Sequence, residues 1–499
     1  MRVRRSVGIA ILVVALPTLI SLAASSSTNT PRFSTRGLGV SPAYGEPSIA
    51  VAGNGKNIAI STPGSDPKCK ASGNGTVQIW WSPNDGGTFS HSCYTSPNGG
   101  GDSEIDFLPN GTLLSADLEI TDSYIQRSTD GGKTWIPVGT AGMQQDRQWL
   151  AHSPDGKTAY LAYHDFVAEA EWYAKSTDGG MTWDQAQCCN VAQSPDQIAA
   201  PGIATTPTSG SPAPLLDQGV NTFSGPMLID PKNPKNLYIV YSISNFESNL
   251  DPRQGVPPYG PPRGIVILHS GDGGANWESH YAVVSAPKPD PSTEDNTGVL
   301  FPWGTIDRAG NLYVVYNASS AADGDHYRQY YVWSSTQGKT WSKPIRLDNL
   351  RGGTGSAVYA TADAGAPGVL DVAWYQTKNG APSDDASLWN VEFTQVRGAN
   401  TARPQITTPV QVGAPNHKGG ICLQGILCGI GPGSGDRSLL DFFQVAINPV
   451  TGMAEIAYAA NIGLGTDKST GIVTGTIENQ ATPKGQVVFA RQIEGRSAL

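Results

Sequence analysis

The feature that most constrains this chain is a short turn that recurs along it. Ser128–Trp135 reads Ser-Thr-Asp-Gly-Gly-Lys-Thr-Trp, Ser176–Trp183 reads Ser-Thr-Asp-Gly-Gly-Met-Thr-Trp, and Ser270–Trp277 reads Ser-Gly-Asp-Gly-Gly-Ala-Asn-Trp. Weaker copies run from Ser82 to Phe89, with Phe in place of the closing Trp, and from Ser334 to Trp341, with Thr336 in place of the aspartate. A carboxylate that accepts hydrogen bonds from turn amides, glycines free to take φ > 0 and an aromatic ring that packs between layers together make a hairpin turn. The repeat therefore speaks for architecture and not for catalysis.

A second repeat lies upstream of these turns, in seven copies: 46–61, 102–117, 146–163, 224–241, 300–316, 356–374 and 441–458. Each has β-branched and aromatic runs on either side of a short turn, as at Asn110-Gly111, Asp155-Gly156 and Ala309-Gly310. In the first five units a third strand, the aspartate turn and a fourth strand follow. The last two keep strand-like runs (387–396 and 486–493) without the turn. Composition agrees: 59 Gly and 37 Pro in 499 residues, with 15% charged residues, suit many short strands and exclude coiled coil, helical bundle and acidic disorder. Seven four-stranded units predict an all-β fold, a single β-propeller of seven blades, with six blades as the alternative. The surplus over a minimal blade lies in the connections 184–223, 244–263, 283–299 and 397–436.

Arg2, Arg4 and Arg5 precede an apolar run from Val7 to Leu22 and the small-residue site Ser21-Leu22-Ala23. This reads as a secretory signal peptide over 1–23, followed by a flexible segment over 24–40 and the propeller over 41–499. Export makes the six cysteines disulfide partners. Cys69 with Cys93 is a local pair, and Cys422 and Cys428 are natural partners for the adjacent Cys188 and Cys189, though other pairings stay open. No cysteine or histidine spacing fits a zinc site, so no required cofactor is expected; a structural calcium at Asp323-Gly324-Asp325-His326 stands against a plain solvated turn. The net charge of −9 argues against nucleic acid or an anionic membrane as partner. No later stretch is long and apolar enough to span a bilayer, and a monomer is expected.

If the first strand of each unit starts at the upper end, the aspartate turns fall at the lower end and all four long connections crowd the upper rim. The starts of first strands and the ends of second strands then surround one upper cavity: Glu46, Asp102, Glu104, Asp146, Arg147, His164, Asp165, Asp436, Arg437 and Asp441. The last position of the second strand reads Ser61, Asp117, Tyr163, Tyr241, Tyr316, Trp374 and Tyr458, a packing column that Asp117 breaks. Asp146-Arg147 opens the third unit and His164-Asp165 closes the same hairpin. Asp146, His164, Asp165 and Asp102 are the candidate acid/base groups. Arg147, a fork for a substrate carboxylate, with Glu46, Asp117, Asp436 and Arg437, makes the candidate binding set. The competing structural reading is an Asp–Arg pair and a His–Asp hydrogen bond that tie the hairpin to its neighbours.

The aspartate turns resemble the Asp-box (BNR) repeats of the sialidase-like propellers, and the resemblance covers about residues 40 to 495. It implies a secreted protein associated with carbohydrate: an exo-acting glycoside hydrolase, or a non-catalytic propeller that binds glycan or protein. Sialidase chemistry in that superfamily needs three arginines, a Tyr/Glu nucleophile pair and an Asp acid/base. This chain departs from the pattern. Tyr44-Gly45-Glu46-Pro47 stands where an Arg-Ile-Pro motif is expected, the units number seven and not six, and Arg147, Arg263 and Arg437 have no triad spacing. The resemblance therefore carries the fold and the glycan association, not a sialidase active site.

Overall fold

The computed structural model describes residues 30–41, 45–64, 76–98, 100–119, 121–165, 170–184, 220–246, 259–285, 295–320, 322–423, 425, 436–461 and 485–499. They form strands and turns with no helix. The innermost strands of the seven blades are Ser48–Val51, Ser103–Phe107, Gln145–His152, Val220–Ile229, Trp303–Ile306, Ser356–Ala364 and Gln444–Ile447. Each packs against the next, and the seventh returns to the first, so the sheets fan about one axis as a seven-bladed β-propeller. Every blade steps outward by antiparallel hairpins.

Two blades depart from four continuous strands. The third has three among the described residues, and 185–219, which follow them, lie outside those described. The sixth fills its outer position with three short pieces, Gln405–Ile406, Val410–Gln411 and His417–Lys418, all paired with Leu388–Arg397. The long connection 397–436 thus supplies an edge and not only a rim loop.

The segment expected to be flexible, 24–40, is structured over its second half. Arg32–Ser41 is a ten-residue strand paired along its length with Gly485–Glu494, so it forms the outermost strand of the seventh blade. The outer face of Gly485–Glu494 would otherwise leave a row of unpaired amides and carbonyls, which the first strand satisfies. Phe33 anchors it against Phe393 of the sixth blade, ring centroids 5.0 Å apart.

The aspartate turns lie at the lower end beside the first hairpin turn of their own blade: the Asp85 amide donates to the Lys56 carbonyl, Gly179 to Lys157 and Gly273 to Lys235. In one of them Asp130 Oδ1 accepts from the amides of Lys133 and Thr134 and from the Ser128 hydroxyl, and Oδ2 accepts from the Thr134 hydroxyl at 2.6 Å. Gly131 and Gly132 take φ of 77° and 97°, which a Cβ disfavours. The closing aromatics then bridge adjacent sheets. Trp135 meets Tyr94 of the first blade at 5.4 Å, Trp277 meets Tyr173 of the third at 5.8 Å, and Phe89 meets Phe489 of the seventh at 5.0 Å. Burial of such a ring contributes about 1.5–3 kcal/mol.

An aromatic plug closes the axis. Trp149 makes edge or tilted contacts with Trp303 at 5.3 Å, Phe442 at 5.7 Å and Phe301 at 6.1 Å. Gln444 ties three blades together below the rim: its Oε1 accepts from the Ser48 hydroxyl and the Ile49 amide, and its Nε2 donates to Glu104. Cys93 and Cys422 each stand in a disulfide, and Cys69, Cys188, Cys189 and Cys428 lie outside the described residues.

Candidate active site

Above the plug, four carboxyl groups from four blades converge: Glu46 of the first, Asp102 of the second, Asp146 of the third and Asp441 of the seventh. None lies near another in sequence except through the ring. Asp102 stands close enough to Glu46 to add to the rise of its carboxyl. The Asp441 amide donates to Glu46 Oε1 at 3.1 Å, and Asp441 Oδ2 accepts from Arg437 Nη2 at 2.7 Å. The Tyr359 hydroxyl bridges to Asp441 Oδ1 at 3.4 Å and to the Cys422 carbonyl at 3.2 Å.

The electrostatics follow from burial and crowding. Removal from water pushes the Asp146 carboxyl up to about 7, and the neighbouring charges of Asp102 and Asp441 add to the rise while His164 and Arg437 oppose it. Burial raises Glu46 well above the carboxylate range, reinforced by Asp102 and Asp441. Asp441 is raised by burial against the pull of Arg437. The same burial, with Asp441 beside it, raises the Tyr359 phenol. Burial and crowding thus raise the carboxyl groups of this site toward neutral pH beside a guanidinium.

The backbone that delivers these groups is itself unusual. Glu46, Gln144, Leu300, Tyr359 and Leu440 take φ between 47° and 54° although none is glycine. All five stand at or just before the innermost strand of a blade, where such left-handed residues mark sites held by their surroundings.

Of the sequence-selected residues, Glu46, Asp102, Asp146, His164 and Arg437 come together here. Asp165 ends the strand beside His164, its backbone in register with Gln145 and Ala170. Asp117 sits behind Asp102 in the seam between the first two blades, fully buried, with neither oxygen in hydrogen-bonding geometry; burial raises its carboxyl well above normal, against the pull of Ser96 and the Gly101 amide. Asp436 is exposed and caps the Ser438 amide at 2.7 Å, so it belongs to the rim turn and not to the cluster.

Arg147 is placed differently from its expected role as a carboxylate fork. It is fully buried, paired with Glu104, and its guanidinium lies 3.9 Å from the Trp149 ring centroid and 3.6 Å from that of Phe442. A register shift between Gln145 and Gln148 aims Asp146 at the cluster and Arg147 into the plug. The expected Asp–Arg pair is therefore a Glu104–Arg147 pair, and burial holds Glu104 at about 7 even with Arg147 and Gln444 opposing. His164 Nδ1 meets Glu171 Oε1 at 3.2 Å. At the Asp323–His326 turn, the carboxylates are bonded to the hydroxyls of Ser320 and Ser383. The Arg263 side chain lies outside those described.

Tyr359 and Glu171 were not legible as site residues. Tyr359 reaches Asp441 through a bulge between Val358 and Thr361, which no turn motif announces. Glu171 had a signal: an antiparallel return after Asp165 puts it opposite His164.

No family model matches this chain, and no curated protein matches it. Among solved structures, it is similar to a polysaccharide lyase described as an ulvan lyase, with a TM-score of 0.45 and 10% identity over 87% of this chain and 93% of that one. It is similar to the NanB sialidase from Streptococcus pneumoniae, with a TM-score of 0.37 and 10% identity over 90% of this chain and 68% of that one. It is also similar to YCF48 bound to a D1 peptide, with a TM-score of 0.43 and 10% identity over 95% and 99%. None of these reaches a TM-score of 0.5, so the reading of the site rests on its own geometry.

Proposed function

We propose that the protein is an exported glycoside hydrolase whose site is the carboxyl cluster at the upper mouth, with Asp146 as general acid. The observation that carries this reading is two buried carboxyls at one mouth, Asp146 pushed up to about 7 and Asp441, itself raised by burial, drawn back by the Arg437 guanidinium bonded to it at 2.7 Å. Glycoside hydrolysis uses such a pair, one carboxyl as acid and the other as carboxylate. Asp146 gives its proton to the glycosidic oxygen as the bond to the anomeric carbon breaks. Positive charge then develops on the sugar ring, where the Asp441 carboxylate stabilises it. Water adds its hydroxide to the anomeric carbon and its proton to a carboxylate of the cluster. Tyr359 on Asp441 is the nearest counterpart to the Tyr/Glu pair of sialidase-like enzymes, but a single arginine, Arg437, accompanies it among the described residues of the cluster. The proposal is therefore hydrolysis of a sugar without the three-arginine carboxylate clamp. Export follows from the leader read in residues 1–23, and the aspartate turns are taken as Asp-box repeats.

The second reading is a propeller that binds glycan or protein without cleaving it. It is favoured by the bonds that already occupy the rim: Asp441 to Arg437, Glu46 to the Asp441 amide, and His164 to Glu171. Purified protein tested on a panel of aryl glycosides and on a glycan array separates the two. Turnover of an aryl glycoside that is lost in Asp146→Asn supports hydrolysis. Glycan retention with no turnover of any glycoside supports binding and removes the catalytic assignment.

A further inference from the structure

We infer that Glu171 is a positioning residue of this site: through Nδ1 it fixes the orientation of the His164 ring and favours its charged form, so that the imidazolium serves Asp146. The inference rests on the reading of Asp146 as the acid, and it adds a residue that no sequence motif selects.

The geometry is set by a rung of one sheet. Strands Ala159–Asp165 and Ala170–Ser176 pair antiparallel with His164 opposite Glu171, so the two side chains share a face. His164 is 3% exposed and Glu171 1%. Glu171 Oε1 accepts from Nδ1 at 3.2 Å, and Phe223 of the fourth blade covers the ring at 6.2 Å. The second carboxyl oxygen, Oε2, has no partner in hydrogen-bonding geometry. A buried carboxylate with so few donors depends on the imidazole for its compensation. A carboxylate on Nδ1 leaves Nε2 as the edge on the far side of the ring, and it favours the cationic ring. The groups that act on Asp146 are Asp102, Asp441, His164 and Arg437, and of these only His164 and Arg437 draw its proton affinity down. The groups facing Glu171 are His164 and, from the fourth blade, Tyr241, whose phenol is raised by burial, Tyr281 and Glu171 in that order. Glu171 thus couples to Asp146 through His164.

The sign of the effect follows. Asp146 must be protonated to act, so activity is lost as pH rises through its value near 7. Removing the Glu171 charge makes the imidazolium less favourable, weakens its pull on Asp146, and moves the alkaline limb of the pH–rate profile upward. Glu171→Gln keeps the shape of the side chain and an acceptor for Nδ1. It should shift that limb up by about one pH unit, and it should lower the titration midpoint of the His164 ring followed by NMR. His164→Asn should give the same upward shift, and the double variant no further one. A limb that stays in place while the rate falls at every pH overturns the role and makes Glu171 structural. Should Glu171→Gln not fold, Glu171→Asp, which retains the charge, is expected to keep the wild-type limb, and a displaced limb there also overturns the role. The two readings fail separately: absence of turnover in the wild type removes hydrolysis, whereas a His164 titration indifferent to Glu171→Gln removes the positioning role.

Discussion

The two ends of the propeller use the same residue type in opposite ways. At the lower end the aspartates of the turns face water and are saturated with donors: Asp272 is held at about 2 by the Asn276 side chain, the Asn276 amide and the Ser270 hydroxyl, and Asp130 and Asp178 reach about 2 because similar bonds outweigh their slight burial. At the upper end burial comes first and donors are scarce, so Asp146 rises to about 7 and Glu46 rises well above its ordinary range. The lower carboxylates stabilise the turns as permanent anions. The upper ones cost stability when charged, and groups of that kind are the ones able to move protons near neutral pH. Recurrence of a motif therefore locates the scaffold, while the unrepeated acids locate the chemistry.

That contrast breaks first at Asp146. Asp146→Asn should reduce glycoside turnover by about 10²–10⁴-fold with an intact folding transition, and full turnover in the variant would end the assignment. The lower end should answer in the reverse manner. Trp135→Ala, at a half-buried position against Tyr94, should cost about 3 kcal/mol in chemical denaturation while the ranking of glycosides is unchanged; altered ranking would mean that the ends are not independent. Stability against pH sharpens the contrast further. The raised carboxyl of Asp146 binds a proton more tightly in the folded chain than in the unfolded one. Its contribution therefore falls as pH rises from the unfolded value of about 3.9 to about 7. The thermal midpoint should drop across that window and drop less in Asp146→Asn; parallel curves would contradict the buried, crowded environment. The smallest effect is expected from Asp178→Asn. Its depressed carboxylate adds stability above about 3.9 that disappears as pH falls through about 2, so the variant should melt slightly earlier at neutral pH and indistinguishably at pH 2.

The seven hairpins were legible because each repeats a local pattern, and their starts fall where Glu46, Asp102, Asp146 and Asp441 enter the ring. What periodicity could not show was direction. Asp146 and Arg147 are neighbours in sequence, yet the bulge sends one to the cluster and the other to Glu104 of the second blade. His164 bonds Glu171, a residue seven positions on, across the hairpin. Long-range pairing was equally hidden. Arg32–Ser41 carries no hairpin signal, because its partner lies more than 440 residues away in sequence. Tyr359 depends on a left-handed residue beside a bulge, for which a tyrosine gives no warning.

The pairing of Arg32–Ser41 with Gly485–Glu494 also orders events during synthesis. The seventh sheet draws its edge from a piece of chain that leaves the ribosome ahead of every blade, while the strand it must meet follows the other six blades. Until then the early strand shows unsatisfied backbone. Closing the circle is therefore a late, long-distance event, and nascent chains stalled before residue 485 should present six assembled sheets with an open seam to proteases and chaperones.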